Sequence, residues 1–334
     1  MRAIVIINSI SGNDSISNEE QAALVKDVLE RGGVEVDLQF TTKERGAPEI
    51  AQDSLAAGAQ VIVVGGGDGT VEPVATVLIG HPKATLGVLP MGTFNNMARS
   101  LDIPKDLTEA CGVILAGYSR EIDVGRANGE KYFFEAAGVG LDAELFPLGE
   151  EVKAGNWTRW LTIAAKAWKF RPLPITMSFD RPISEAVPPL LHHKYRRMLT
   201  FRKIRRHAMM AVGANGPFYG GGLAVAPNAK MDDGRLTVTV YRRFSKIELF
   251  RHFLSITEGR RQYSPKMESY KVGRVKFEAN PPQAVHVDGT PFGETPLVLE
   301  SMPKALRVFC PGPAGVALPS ADREAKKAAE GALA

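Results

Sequence analysis

Cysteines and long apolar runs are scarce in this chain of 334 residues, and each shortage excludes a class of protein. The two cysteines, Cys111 and Cys310, lie far apart and form no metal or redox motif. A disulfide-stapled secreted fold is therefore excluded, and a reducing compartment is expected. No stretch reaches the roughly 18 consecutive apolar residues of a membrane span. The apolar start at 3–7 is too short for the core of a signal peptide, so we expect a cytoplasmic protein.

Charge of one sign is also not in large excess. The formal net charge is +4, with 23% charged and 44% hydrophobic residues, which is typical of a folded globular protein. The length predicts about two domains, because single domains cluster near roughly 100–200 residues. The charge alone is too small to identify a partner.

Apolar runs and helical patterns alternate through the first 125 residues. Strands are predicted at 3–7, 34–40, 61–64 and 86–89, and helices at 17–31, 47–57, from 70 to 79 and from 93. Strands that are apolar on both faces and separated by helices predict a parallel sheet covered on each side. Ligands of such sheets bind at the carboxyl ends of the strands.

The pattern changes after residue 125 to short strands rich in β-branched and aromatic residues. They are predicted at 131–140, 175–179, 197–201, 207–213, 236–241, 270–278 and 284–287, with one helix over 142–170. This pattern favours an antiparallel β-sandwich. We predict an α/β domain at 1–125, a β-sandwich domain at 126–304, a final strand within 305–318 that could return to the first domain, and a flexible tail at 319–334.

The turn at 66–70 reads Gly-Gly-Asp-Gly-Thr and directly follows a buried strand. Its free amides could cradle phosphate oxygens, and Asp68 could hold Mg²⁺ or accept a proton from an attacking hydroxyl. Thr70 could cap the next helix or donate to a phosphate. A plain tight turn, with Asp68 as a helix cap, explains the motif alone equally well.

A second glycine turn, at 89–99, again joins a strand to a helix N-terminus. Two such turns on neighbouring strands would face one cleft and direct two helix dipoles at the same anion. Neutral hydrogen-bonding groups are available there from Thr93, Asn95 and Asn96. Arg99 could reach a phosphate or a carboxylate.

These two turns, Asp-Asp-Gly at 232–234 and Val-Asp-Gly at 287–289 occur in an order that resembles the diacylglycerol kinase catalytic-domain family of lipid kinases. That family includes bacterial soluble diacylglycerol kinases, ceramide kinases and sphingosine kinases. The opening Asn-Ser-Ile-Ser-Gly at 8–12 is similar to its Asn-Pro-x-Ser-Gly motif. The resemblance covers about residues 1–312. It implies a three-layer parallel-sheet domain with a phosphofructokinase-like nucleotide site, an antiparallel β-sandwich domain, and an ATP site in the cleft between them.

The resemblance also implies site residues, with ATP and Mg²⁺ as cofactors. Those that it places at the nucleotide are Asn8, Thr42, Gly66, Gly67, Asp68, Gly69, Thr70, Glu72, Gly92, Thr93 and Asn95. A structural Mg²⁺ site is implied at the Asp233 carboxylate and the backbone carbonyls of Lys230 and Arg235. Without the family, the sequence at 232–234 would be interpreted as a simple hairpin turn.

The chain departs from the family at the general base. Thr290 stands where the family has the glutamate of Asp-Gly-Glu, and threonine cannot act as a base near neutral pH. The catalytic candidates are therefore Asp68, Asp288, the Thr290 position and Glu294. Either Asp68 takes the proton, Glu294 reaches in, or activity is low. Positioning and charge neutralisation supply most of phosphoryl-transfer catalysis, so losing a base need not abolish turnover.

Four other positions also differ from the family. Glu72-Pro73 replaces Asn-Glu, Asn96 replaces aspartate and Glu135 replaces asparagine. These differences suggest a rearranged acceptor pocket.

Two segments indicate contact with a membrane. The three tryptophans, Trp157, Trp160 and Trp168, lie among basic residues, a combination that favours the headgroup level of a bilayer. The strip from Lys194 to Arg206 contains basic residues and no acid, so it would attract anionic lipid. A core helix and a solvated strand edge explain these patterns equally well. Nucleic acid is disfavoured because no binding motif accompanies the strip.

We therefore expect a lipid kinase that associates peripherally with the inner face of the membrane. Diacylglycerol is the default lipid alcohol acceptor, and ceramide or a sphingoid base is the alternative. An NAD kinase shares the first turn but is disfavoured by Glu72-Pro73 and by the second turn. A nucleotide-binding pseudokinase is supported only by Thr290. The sequence leaves the oligomeric state open, a dimer included.

Overall fold

The computed structural model describes residues 1–9, 18–144, 169–184, 200–242, 244–245, 247–248, 251 and 266–312. The chain divides into two compact units, one formed by Met1–Ile122 with the segment from Ala305 onward, the other by Asp123–Lys304. The sequence-based boundaries lie at 125 and 304.

Helices alternate with strands in the first unit. The elements in chain order are β1 (Arg2–Ile7), α1 (Asn18–Arg31), β2 (Glu35–Phe40), α2 (Ala47–Ala56), β3 (Val61–Gly66), α3 (Asp68–Leu78), β4 (Thr85–Pro90), α4 (Asn96–Ser100), α5 (Leu107–Leu115), β5 (Ser119–Ala127), β6 (Lys131–Phe133), β7 (Ala136–Gly140), β8 (Leu173–Ser184), β9 (Thr200–Ala214), β10 (Leu236–Arg242), β11 (Met267–Val272), β12 (Arg274–Ala279), β13 (Ala284–Val287), β14 (Thr290–Glu294) and β15 (Leu297–Phe309).

The first unit is built on a parallel sheet in the order β2-β1-β3-β4. Every residue of β3 and β4 is buried, whereas β2, at the edge, is partly exposed. Helices α1 and α5 pack together, as do α2 and α3, and right-handed crossovers place these pairs on opposite faces. The predicted three-layer α/β fold is confirmed. The end of β15 joins the sheet beside β4, with Val308 opposite Leu86.

The strand order reverses at β1. From β1 the chain continues to β2 on one side of the sheet, whereas from β3 it continues to β4 on the other. Helices that leave these neighbouring strands therefore depart toward opposite faces, which opens a crevice at the carboxyl ends of β1 and β3. Open α/β sheets bind their ligands at such a switch point.

The second unit is predominantly antiparallel, as predicted. Strand β9 pairs with β10 along one edge and with β7 and β8 along the other. Side chains such as Phe133, Phe277 and Val238 form a buried apolar cluster. The strand predicted at 207–213 and the described part of the one predicted at 197–201 belong to the single strand β9, and the strand predicted at 270–278 divides at Gly273 into β11 and β12. Strands β5 and β14 were not predicted from the sequence.

Several predictions lie outside the described residues. They are Trp157, Trp160 and Trp168, most of the helix at 142–170, the basic residues from Lys194 to Arg197, residues 10–12 of the opening motif and the tail at 319–334. Among the described helices, none combines the length and the hydropathy that a membrane crossing requires.

Candidate active site

Asn8 ties three chain segments together at the switch point of the first unit. Its backbone N–H donates to the Gly65 carbonyl at 3.0 Å. Its side-chain Nδ2 donates to Thr70 Oγ1 at 2.8 Å, and its Oδ1 accepts from Thr41 Oγ1 at 3.3 Å. The end of β1 is thereby fixed to the first turn of α3 and to the end of β2. This network places Asn8 and Thr70, both predicted site residues, side by side.

The two glycine turns lie in backbone contact. A Cβ atom added to Gly92 would lie 2.3 Å from Gly67 Cα, and one added to Gly66 would lie 2.7 Å from Thr70 Cβ. The Met91 N–H also donates to the Gly66 carbonyl at 3.1 Å. A side chain at Gly92 would force the turns apart, and one at Gly66 would displace Thr70. The prediction that both turns share one end of the sheet on neighbouring strands is confirmed.

Asp68 links these turns through its side chain. Its carboxylate accepts the N–H of Asn96 at 3.0 Å and the N–H of Met97 at 3.1 Å, which are the first two residues of α4. Negative charge stabilises a helix N-terminus, so these two hydrogen bonds hold the start of α4 against the start of α3. The expectation that Asp68 or Thr70 caps α3 is wrong, because α3 begins at Asp68 itself with Gly67 as its N-cap.

Helix α4 begins at Asn96, three residues later than predicted. The delay has a local cause in Asn95, which adopts a left-handed conformation with φ of 51°. Its Oδ1 accepts from the Gly92 N–H at 2.9 Å, and its Nδ2 donates to the Gly92 carbonyl at 2.7 Å. Asn95 is buried, and its side chain shapes the turn, whereas Thr93 is exposed on it.

Thr42 and Glu72, which were also predicted to lie at the nucleotide, differ in their surroundings. Thr42 is exposed, and its Oγ1 accepts the backbone N–H groups of Glu44 and Arg45, at 3.3 and 3.1 Å. Glu72 lies one helical turn after Asp68 on α3, and their carboxylate oxygens lie within 4.8 Å of each other. Two carboxylates this close repel each other, and oxygen pairs of this kind are the ligands that Mg²⁺ prefers. Asp68 and Glu72 therefore fit a divalent cation.

Neither the backbone conformation nor the packing at position 69 requires a glycine. It is exposed in the first turn of α3, its φ is not positive, and an added Cβ would meet no atom within 4 Å. Glycine in a helix costs about 0.5–1 kcal/mol relative to alanine. The open space above an unencumbered helix N-terminus suits the close approach of an anion such as a phosphate.

In the second unit, Asp288 occupies a two-residue hairpin turn. Asp288 and Gly289 have φ of 45° and 73°, and Val287 pairs with Thr290, as in the Asp-Gly turns typical of tight hairpins. The Asp288 carboxylate accepts three backbone N–H groups from residues 134–136, at 2.8–3.1 Å. Burial raises the pKa of Asp288 to about 6, although these hydrogen bonds act in the opposite direction. Its geometry makes it an anchor between the β13–β14 hairpin and β7.

Thr290 and Glu294 are not brought together. Thr290 is exposed at the start of β14, and Glu294 is exposed at the other end of the same strand. Four residues of strand span about 13 Å. Glu294 therefore does not substitute at the position of the missing glutamate.

Sequence reasoning missed several buried polar residues of the second unit. Asp123 accepts the N–H of Gly234 at 2.6 Å and that of Lys304 at 3.0 Å. His286 Nε2 lies 2.9 Å from Asp142 Oδ2, and the ring of His286 stacks on that of Tyr219. The one available signal was a single charged residue within an apolar run, as at Asp123 between Ile122 and Val124.

The turn at 232–234, where a structural Mg²⁺ site was predicted, is bonded to other groups of the same chain. Asp233 Oδ1 accepts the Arg235 N–H at 3.1 Å, and Asp233 Oδ2 forms an ion pair with Lys271 Nζ. Lys230 and Arg235 are exposed beside it. Both carboxylate oxygens are therefore engaged by the chain, and the donor set does not fit a divalent cation as it stands.

Residues 2–127 match the family described as the diacylglycerol kinase catalytic domain. Residues 162–310 match the YegS C-terminal NAD kinase beta sandwich-like domain. The chain therefore carries a domain of the diacylglycerol kinase catalytic type at 2–127, followed by one of the YegS β-sandwich type. These domains make it a phosphotransferase with an alcohol group as acceptor, and the kinase domain implies use of ATP and typically a divalent metal.

Relatives of the diacylglycerol kinase family match along nearly the whole chain. A protein named diacylglycerol kinase from Staphylococcus aureus strain bovine RF122 is 25% identical over 314 residues, which are 93% of this chain and 92% of the relative. The protein of the same name from strain MRSA252 gives the same values. A crystal structure of a diacylglycerol kinase from Bacillus anthracis covers 93% of this chain and 97% of its own, with a TM-score of 0.68 and 20% identity. That structure supports the fold.

Proposed function

We propose that this protein transfers the γ-phosphate of ATP, bound with Mg²⁺, to the hydroxyl of a membrane lipid, with diacylglycerol as the default acceptor. The observation that carries the proposal is the backbone contact between the two glycine turns at the switch point, beside the open position at Gly69. The relatives named diacylglycerol kinase support the choice of acceptor.

The residues of the first unit supply phosphate binding. The backbone N–H groups at the start of α3, an 11-residue helix, would bind phosphate oxygens with the help of the helix dipole. Asp68 and Glu72 would hold the divalent cation, which would neutralise charge on the phosphates. Asn8 would keep the Thr70 hydroxyl in place through its 2.8 Å hydrogen bond.

No dedicated base is required by this arrangement. Each Asp68 oxygen accepts one backbone N–H and retains another lone pair, so one oxygen could hold the cation while the other takes the proton of the attacking hydroxyl. Positioning and charge neutralisation carry most of the rate in phosphoryl transfer. We therefore propose that the chain is active despite Thr290.

Transfer of radiolabelled γ-phosphate to diacylglycerol, ceramide, sphingosine and NAD, measured side by side, tests the proposal. We expect lipid-dependent turnover with diacylglycerol as the best acceptor. Preference for ceramide or sphingosine would change the assigned acceptor while retaining the lipid kinase. NAD-dependent turnover would replace the lipid kinase with an NAD kinase, and ATP binding without turnover would indicate a pseudokinase.

We further propose that the second unit associates with anionic membranes. On β9, Lys203, Arg205 and His207 are exposed and alternate with inward residues, so their side chains lie on one outer face. Arg206 points inward, where its Nε donates to Glu268 Oε2 at 2.8 Å, and it is not available to lipid. The basic face is therefore narrower than the sequence strip.

Vesicle flotation checks this association. We expect the protein to float with vesicles that contain phosphatidylglycerol and to remain behind with phosphatidylcholine alone. The double variant Lys203→Glu, Arg205→Glu should reduce flotation about 10-fold or more, since each cation contributes roughly 1 kcal/mol near the surface. A matched double reversal at the exposed Lys43 and Lys105 of the first unit should leave it unchanged. Equal flotation with both vesicle types would contradict the proposal.

A further inference from the structure

The turn at 232–234 in the second unit carries a charge arrangement that the family resemblance does not predict. There the resemblance implies a divalent cation on the Asp233 carboxylate, whereas the structure shows the Lys271 ammonium on that carboxylate. The side chains of Lys271 and Asp233 are 37% and 23% exposed, so the pair lies at the edge of solvent.

The position of Lys271 is fixed by the register of two strands. In the β10–β11 pair, Leu236 lies opposite Val272 and Thr237 lies opposite Lys271. Tyr270 and Val272 are buried on either side of Lys271, so strand alternation turns the lysine away from the core. Since β10 begins three residues after Asp233, this register brings the ammonium beside the turn.

The turn also has an anchor that needs no ion. The Gly234 N–H donates to Asp123 Oδ2 at 2.6 Å, and the Asp123 N–H donates to the Met231 carbonyl at 2.6 Å. Asp123 is buried, and its second oxygen accepts the Lys304 N–H at 3.0 Å. The backbone of the turn is thus held on both sides of Asp233 by the chain itself.

An ammonium and a magnesium ion compete for the same carboxylate. Mg²⁺ demands near-octahedral coordination by oxygens. At Asp233, one oxygen is bonded to the Arg235 N–H and the other to a positive charge. Because the Lys271 ammonium contacts the Asp233 carboxylate, its positive charge would repel a Mg²⁺ ion placed on that carboxylate. We propose that the Lys271 ammonium takes the place of a divalent cation at this turn, which makes the turn independent of metal.

Thermal unfolding in EDTA and in excess MgCl₂, without nucleotide or lipid, tests the proposal independently of the proposed function. For the native sequence we expect no increase in Tm from Mg²⁺ that depends on Asp233. Lys271→Met should lower the Tm of the second unit in EDTA by about 2–4 °C, the shift that corresponds to a loss of about 1 kcal/mol in a unit of this size. Added Mg²⁺ should restore that loss by binding the uncovered carboxylate.

The matched control is Lys276→Met, because Lys276 pairs with Glu278 and leaves Asp233 untouched. It should gain no response to Mg²⁺. Lys271→Arg should remain as insensitive as the native sequence, and Lys271→Met combined with Asp233→Asn should lose the restored response.

Two results would overturn the proposal. One is a Tm of the native sequence that rises with Mg²⁺ and loses this rise in Asp233→Asn, which would place a metal at the turn. The other is a Lys271→Met variant that does not respond to Mg²⁺, which would show that the lysine covers no cation site. If Lys271→Met does not fold, the native and Asp233→Asn titrations decide the question.

Discussion

Replacing Asp68 by asparagine should lower phosphoryl transfer by about 10²-fold or more. Asparagine would present an N–H group toward one of the two backbone N–H donors at the start of α4, and two donors cannot bond each other. The two glycine turns would then lose their side-chain link, and a misplacement of about 1 Å can cost about 10²-fold in rate. We also expect a loss of about 1–3 kcal/mol in the free energy of unfolding, because one of these N–H groups would be left without its acceptor. Steady-state kinetics and thermal unfolding measure both effects.

Two variants show whether the loss of turnover is specific to Asp68. Asp106 is a simple helix cap whose Oδ1 accepts the Glu109 N–H at 3.0 Å. Asp106→Ala, which removes that acceptor, should therefore lower the free energy of unfolding by about 1 kcal/mol and keep turnover. Glu294→Gln, at the far end of β14, should retain both. Full turnover of Asp68→Asn together with inactivity of Glu294→Gln would refute the role given to Asp68.

Replacing Gly69 by alanine should separate stability from nucleotide binding. The added Cβ meets no atom of the protein, so the Tm should stay the same or rise, because alanine favours a helix by about 0.5–1 kcal/mol. A phosphate on the neighbouring amides would clash with the methyl group. Loss of one hydrogen bond to a charged group costs about 1.5–3 kcal/mol, or about 10–100-fold in the KM for ATP.

A substitution two turns further along α3 serves as the control. Thr76 is exposed, and its hydroxyl donates to the Glu72 carbonyl at 2.9 Å. Thr76→Ala should leave the KM for ATP unchanged. A Gly69→Ala protein that binds ATP normally would show that phosphate does not approach the start of α3.

Strands β3 and β4 of the first unit were predictable because they are apolar runs followed by glycine turns. The runs at 61–64 and 86–89 became β3 and β4, each longer than predicted. In contrast, β14 has the sequence Thr-Pro-Phe-Gly-Glu and is largely exposed. Neither apolar alternation nor high strand propensity marks it, so only pairing with β13 makes it a strand.

The contacts of the candidate site were not predictable from local pattern. Asp68 is 28 residues from Asn96, and Asp233 is 38 residues from Lys271. Sequence motifs indicated the chemistry that aspartates at these turns could perform. They did not indicate that backbone N–H groups bond the first carboxylate or that a lysine pairs with the second, because both depend on strand register.

Because β15 returns to the first sheet, that sheet can be completed only after the second unit has been synthesised. Residues after Lys304 belong to the first unit, where the Arg307 guanidinium donates to Glu121 Oε1 at 3.0 Å and the Cys310 N–H donates to the Tyr118 carbonyl at 3.2 Å. A nascent chain on the ribosome cannot complete this sheet until residues 305–310 have emerged. Closure of so distant a pair of segments is slow. The edge of β4 that pairs with β15 therefore lacks this partner throughout synthesis of the second unit, although β1 to β4 have already been made.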